Sequence, residues 1–170
     1  MRIKLALLSF LIAGLIPLMA QQGLKFGHVD TDEIFSALPE LQEVQKQLDA
    51  EYEKHETSLT TMQEELKAKQ QDYMKVAKTL TPTERSAKEK ELVDMNKRVQ
   101  NYYTLAQQQL QAKEQELKAP LMEKVENAIK AVGEEQGFIY IFDSTSGVPV
   151  YHSEKSVDIA PLVKTKLGIQ

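Results

Sequence analysis

The sequence predicts a mainly α protein: a long antiparallel coiled-coil helical hairpin projecting from a small β body formed by N- and C-terminal strands. Three observations carry this reading. Only 7 Gly and 6 Pro occur among 170 residues, and Gln, Glu, Lys, Leu and Ala dominate the middle of the chain, as in long helices. From Leu41 onward apolar residues recur at seven-residue intervals. Strand-like segments occur only near the two ends of the sequence.

The first segment, residues 1–20, reads as a cleaved signal peptide. Arg2 and Lys4 precede an apolar run from Leu5 to Leu18, and Met19-Ala20 is followed by polar Gln21-Gln22. The run is short for a membrane helix of about 20 residues, so no span is expected after cleavage. Residues 21–38 should supply the N-terminal strand and a short helix of the body, and residues 39–120 the arm. Residues 121–170 should return a helix, strands and a short helix to the body.

Leu24 to Val29 has the composition of a short strand, and Asp30 is placed to cap a helix running to about Leu38, with Glu33 at the capping-box position. Pro39 fits a first helical turn, with Glu40 and Glu43 near the positive helix end. In the arm, one seam set is Leu41, Leu48, His55, Met62, Lys69 and Val76. The other is Gln45, Tyr52, Leu59, Leu66, Tyr73 and Leu80, so 9 of these 12 positions are apolar or aromatic. A helix this long with one apolar stripe needs a partner helix.

The same chain supplies it. Thr81 as N-cap, Pro82 at the first position and Glu84 as the box partner restart a helix, so a turn at residues 80–83 joins the two arms. Leu92, Met95, Val99, Tyr102 and Ala106 then form a stripe, followed through a stutter by Tyr103, Leu110, Leu117, Leu121 and Val125. Pro120 should kink this helix near Lys118, and Gly137 should end it. Phe138 to Phe142 reads as a buried strand, Val148 to His152 as an edge strand, and Asp158 as the cap of a last helix ending at Leu167.

Charge narrows the function. The chain holds 21 Lys+Arg against 25 Asp+Glu, and loss of Arg2 and Lys4 leaves 19 against 25, a net −6. A nucleic-acid partner is not expected of such a chain. The imbalance is uneven: residues 25–56 hold 3 Lys against 9 acids, whereas residues 67–98 hold 9 basic residues against 5 acids. The arm tip is therefore basic, through Lys67, Lys69, Lys75, Lys78, Arg85, Lys88, Lys90, Lys97 and Arg98. These residues are the candidate contact for an anionic partner, against the plainer reading of a solvated helix surface.

Catalytic and cofactor signals are weak. The chain has no Cys, which removes disulfides, thiolate nucleophiles and Cys-ligated metals. No dinucleotide or phosphate-loop glycine motif is present. His28, Asp30, Asp32 and Glu33 resemble a ligand set, but helix capping accounts for the acids. His55 sits at a seam position, where a packed or register-setting role is expected. His152 follows Asp143, Ser144 and Ser146 without a nucleophile-elbow motif. Neither a cofactor, a metal nor catalysis is expected. Tyr52, Tyr73, Tyr102 and Tyr103 suit either seam packing or contact with a bound chain.

The secretory leader, the strand ending Gly27-His28-Val29-Asp30, the entry Leu38-Pro39-Glu40, the Gln-rich helical hairpin, Phe138 to Asp143 and Val157-Asp158-Ile159 together resemble the Skp/OmpH family of periplasmic chaperones. The resemblance spans essentially all of the chain after its leader. It implies a homotrimer whose strands share a β body and whose arms enclose a cavity, acting without ATP as a periplasmic holdase for unfolded outer-membrane proteins. Phe26, Val29, Ile139, Ile141 and Phe142 are the candidate trimer core. Familiar members are strongly basic and this chain is net acidic, so a uniformly positive cavity and lipopolysaccharide binding do not carry over. The rival reading is a structural coiled-coil spacer or adaptor of the envelope.

Overall fold

The computed structural model describes residues 24–169; the leader reading of residues 1–20 lies outside them. Strand β1 (Phe26–Val29) leads through Asp30 into α1 (Thr31–Ser36). The Asp30 carboxylate accepts the Glu33 backbone N–H at 2.8 Å, which fixes the helix start. The Glu33 side chain does not close a capping box; it pairs with Lys164. This helix stops at Ser36, two residues before the expected end, and Leu38 turns into the core at 2% exposure.

The arm is made of α2 (Leu41–Val76) and the first two thirds of α3 (Pro82–Gln136). Helix α2 alone spans about 54 Å at 1.5 Å per residue. It begins two residues after Pro39, and Glu40 makes no cap; its carboxylate pairs with Lys124 on α3 instead. The restart is as expected: Thr81 Oγ1 accepts the Glu84 N–H, and the Glu84 carboxylate accepts the Thr81 N–H at 2.9 Å. The turn itself falls earlier than 80–83, at residues 77–81, so Leu80 lies in the turn and not in the seam. The cross-arm partners Tyr73–Glu89, Lys69–Glu91, His55–Tyr102 and Glu40–Lys124 lie 16, 22, 47 and 84 residues apart. Separation growing steadily away from the turn defines an antiparallel hairpin.

Two seam expectations need correction. Gln45, Tyr52 and Lys69 face solvent, while Val44, absent from both predicted sets, is buried beside the Leu48 and His55 stripe. On α3 the stripe passes from Ala106 directly to Leu110, Leu117 and Leu121, and Tyr103 points outward at 52% exposure. The stutter is the pair of consecutive four-residue steps Tyr102 to Ala106 to Leu110, which keeps one face toward α2 and bypasses Tyr103. Helix α3 is also unbroken through Pro120, which is exposed on it. The arm therefore passes into the body without a loop.

The body is a three-stranded parallel sheet in the order β2-β1-β3, with β2 (Tyr140–Asp143) and β3 (Val157–Asp158) both paired to β1. Gly137, left-handed at φ 69°, ends α3 and turns the chain into β2. The expected strand at Val148 to His152 is not formed. Val157–Asp158 takes the place beside β1, because Ile159 is fully buried and its N–H bonds to the His28 carbonyl at 3.0 Å. The Asp158 carboxylate then accepts the Ala160 N–H at 2.9 Å and starts α4 (Ala160–Leu167).

Val29, Ile34, Leu38, Val44, Leu121, Val125, Val132, Ile159 and Val163 form one core between the sheet, helices α1, α3 and α4, and the first turn of α2. Gly27 is needed there: a Cβ on it would lie 3.0 Å from the Phe138 ring and 3.1 Å from Ile159. Among the described residues no helix is long and apolar enough to cross a membrane.

Candidate functional site

Three surfaces carry the chemistry: the outer face of the sheet, a groove midway along the arm, and the arm tip. The sheet faces follow from strand alternation. In β1, Gly27 and Val29 are buried, so Phe26 and His28 fall on the opposite face. Register places Tyr140 beside Phe26 and Phe142 beside His28. The Phe26 and Tyr140 rings stack 6.3 Å apart, and Tyr140 and Phe142 stack at 6.0 Å. All three are exposed, at 37%, 61% and 41%. A soluble sheet normally turns polar residues to such a face.

The candidate trimer core therefore divides. Val29 is buried in the chain's own core and Ile141 packs against it. Phe26, Ile139 and Phe142 are exposed and available to another chain. Phe138 to Phe142 is accordingly not buried on both faces within one chain. Tyr140, absent from the sequence-derived set, sits at the centre of the aromatic row. Its strand alternation with Ile141 was the available signal.

Beside the row a groove of about 550 Å³ opens between the strands and residues 149–156. Here the His28 and His152 rings stack at 4.1 Å, and His28 Nδ1 lies 2.9 Å from the Ser156 hydroxyl. The ligand-like cluster around His28 is dispersed: Asp30 caps α1 and Glu33 pairs with Lys164. Among the described residues no group of three or more His, Asp or Glu is placed to hold a metal. The Ser144 hydroxyl donates to the Val29 carbonyl and the Ser146 hydroxyl to the Asp143 carbonyl. Burial pushes the Asp143 carboxyl up, but hydrogen bonds from Thr145 and Thr31 outweigh it and hold the carboxyl below its usual range. None of these groups is aimed at His152 as a nucleophile or its orienter.

Midway along the arm, His55 is 6% exposed and its Nδ1 lies 3.0 Å from the Tyr102 hydroxyl. Its Nε2 stands 3.3 Å from the Glu51 carboxylate without hydrogen-bond geometry. A hydrogen bond from Lys54 holds the Glu51 carboxyl below its usual range. Next to His55 a groove of about 350 Å³ is lined by Tyr52, Leu59, Tyr103, Ala106 and Leu110. Tyr52 and Tyr103 are 59% and 52% exposed. Of the four arm tyrosines, Tyr73 and Tyr102 thus bridge the helices through Glu89 and His55, and Tyr52 and Tyr103 present their rings to solvent.

At the tip, Lys69 pairs with Glu91 across the helices, Lys75 with Asp72 along α2, and Arg85 donates to the Ala77 carbonyl. Lys67, Lys78, Lys88, Lys90, Lys97 and Arg98 are exposed and form no ion pair among the described residues. Hydrogen bonds from Lys69 and Thr81 hold the carboxyls of Glu91 and Glu84 below their usual range.

The profile of the family described as Outer membrane protein (OmpH-like) matches residues 25–167, from the residue before β1 to the end of α4. The chain belongs to this OmpH-like family. Body and arm both lie within the match, so all three surfaces are on family structure. Relatives that carry the name Chaperone protein Skp match over most of the chain. The one from Photorhabdus laumondii is 27% identical over 158 residues, covering 93% of this chain and 95% of the relative. The protein of Pectobacterium atrosepticum is 23% identical, over 82% of this chain and 86% of its own. The protein of Yersinia enterocolitica is 27% identical, over 81% and 82%.

Proposed function

We propose that this OmpH-like protein is a periplasmic, ATP-independent holdase that binds unfolded outer-membrane proteins and prevents their aggregation, without catalysis and without a cofactor. Its relatives' name and the family match across body and arm support the chaperone role. The observation that carries the mechanism is the exposed aromatic groove of the arm. A helical hairpin serving only as a spacer would close its seam, whereas Tyr52 and Tyr103 offer apolar area that loses little entropy on contact. Many weak contacts of this kind hide apolar segments and unpaired strand edges of a client, slowing its association with other chains.

The working unit is a homotrimer built through the outer face of the sheet. Phe26, Tyr140 and Phe142 form an apolar row that another copy would cover, and the two edges of a three-stranded sheet are open to strand pairing. Three arms would then surround a common space. Residues 39–120 act as the arm and the flanking segments as the body, reached after removal of residues 1–20 during export. The basic tip makes the first, electrostatic contact.

Aggregation of an unfolded outer-membrane barrel protein, followed by light scattering, tests this reading. The wild type should suppress scattering at stoichiometric amounts, and a Tyr52→Ser/Tyr103→Ser variant of unchanged helicity should suppress it less. No suppression by the wild type would overturn the holdase and favour an envelope spacer or adaptor.

A further inference from the structure

We propose that the stacked pair His28 and His152 makes self-association through the outer sheet face sensitive to pH, the assembly loosening as the pair takes up protons. This rests on the proposed trimer and names a regulation of that surface.

The pair lies in the groove that adjoins the aromatic row, with ring centroids 4.1 Å apart and planes 21° from parallel. Two neutral imidazoles stack there as apolar plates continuous with Phe26 and Phe142, which line the same groove. Histidine is the side chain whose charge changes between about pH 5 and 8. Protonation of both rings places two positive charges face to face at stacking distance.

The groove lining itself offers no compensation. Lys155 also lines the groove and no carboxylate does; Tyr151 is its other titratable group. From β2, Asp143 is already engaged by the Thr31 and Thr145 hydroxyls. From β3, Asp158 is the register partner of His28; its carboxylate accepts the Ala160 N–H that starts α4, and its single negative charge offsets one of the two imidazolium charges and not both. Ser156, the direct partner of His28 Nδ1, is neutral and can accept or donate. While the face is open to water, solvent screens the paired charges. Once another copy covers it, the charges are desolvated, so the assembled state disfavours protonation more than the free chain does. Assembly must then release protons, and by linkage it weakens as pH falls.

Analytical ultracentrifugation of the purified protein at about pH 7.5 and about pH 5.5, on either side of the imidazole titration range, tests this. Circular dichroism at both values monitors folding. The wild type should show a rise of about tenfold or more in the concentration at which it dissociates on going to the lower pH, with helicity retained. His152→Gln, a change at an exposed position, should remove most of that rise, and His28→Gln should do likewise. Equal association of the wild type at both pH values overturns the switch and leaves the trimer standing. An identical acid response in the wild type and both variants also overturns it. A single-chain mass at every pH overturns the assembly reading, and the switch with it.

Discussion

His55 and Tyr102 meet across the arm, Nδ1 to hydroxyl at 3.0 Å, from positions 47 residues apart in the chain. It is the most buried of the polar contacts across the arm, the pairs Tyr73–Glu89, Lys69–Glu91 and Glu40–Lys124 being exposed, and it is satisfied only when these two positions face each other. Polar seam residues fix alignment at some expense of stability. Tyr102→Phe leaves the buried imidazole without its partner and should weaken the middle of the arm by about 1–3 kcal/mol. Hydrogen exchange should accelerate in the arm near residues 50–60 and 98–106 while α4 stays protected. Uniform acceleration across arm and body would refute a local role. His55→Leu, which removes the polar group altogether, should hold the arm at least as well and loosen its register.

The tip offers a second test. Thr81→Ala removes the cap of α3 and should cost about 1 kcal/mol of local helix stability. The Glu84 carboxyl is held below its usual range chiefly by its hydrogen bond with Thr81. A carboxyl lowered by folding contributes above its unfolded-state pKa, and that contribution disappears as pH falls through the lower folded-state value. The start of α3 should therefore fray under acid, below about pH 4, where free glutamate titrates. Amide chemical shifts of residues 81–86 would report it. In Glu84→Gln this pH dependence should vanish.

Gly27→Ala should destabilise the body by about 1–3 kcal/mol, because the added carbon falls 3.0 Å from the Phe138 ring and 3.1 Å from Ile159 within a close-packed core. A calorimetric melt checks this. An unchanged transition would mean that Phe138 swings aside freely. The same variant should leave arm helicity largely intact, since the neighbours of the added carbon, Phe138 and Ile159, both belong to the body.

What the sequence made legible follows the range of the forces involved. The arm was readable because heptads, the Thr81-Pro82-Glu84 restart and the Gly137 stop are local signals. Its errors were also local: Tyr52 and Tyr103 are aromatic and near the right spacing, yet a four-residue step from Ala106 excludes Tyr103. The body was harder. Val148 to Tyr151 is more strand-like in composition than Val157–Asp158, but burial of Ile159 decides which segment reaches β1, and that contact joins distant parts of the chain. Pro120, the expected kink site, lies within a helix that continues on both sides of it. Of the candidate surfaces, the basic tip was visible as a run of charge. The aromatic row was half visible, since Val29 and Ile141 were grouped with residues of the opposite exposure. The His28–His152 stack arises only from folding.

The last prediction concerns how the tip and the groove divide the work. If exposed cations captured the client and also held it, affinity would fall steeply between low and physiological ionic strength, where charges are screened beyond about 8 Å. The tip is not a uniform positive field, however. Glu89, Glu91 and Asp94 interleave its cations, and Lys69 is already neutralised by Glu91. The rest of the chain is net acidic, and the aromatic groove lies farther down the arm toward the body. Rim charges of this kind act mainly on association rate, whereas apolar contacts and multivalency set the retention of a bound chain. Charge reversal to Glu at Lys88, Lys90, Lys97 and Arg98 should therefore slow capture of an unfolded barrel protein and flatten its salt dependence, with little loss of capacity. Stopped-flow fluorescence gives the rate, and light scattering gives the capacity. Loss of capacity in the reversed variant at unchanged helicity would move the main client contact from the groove to the tip.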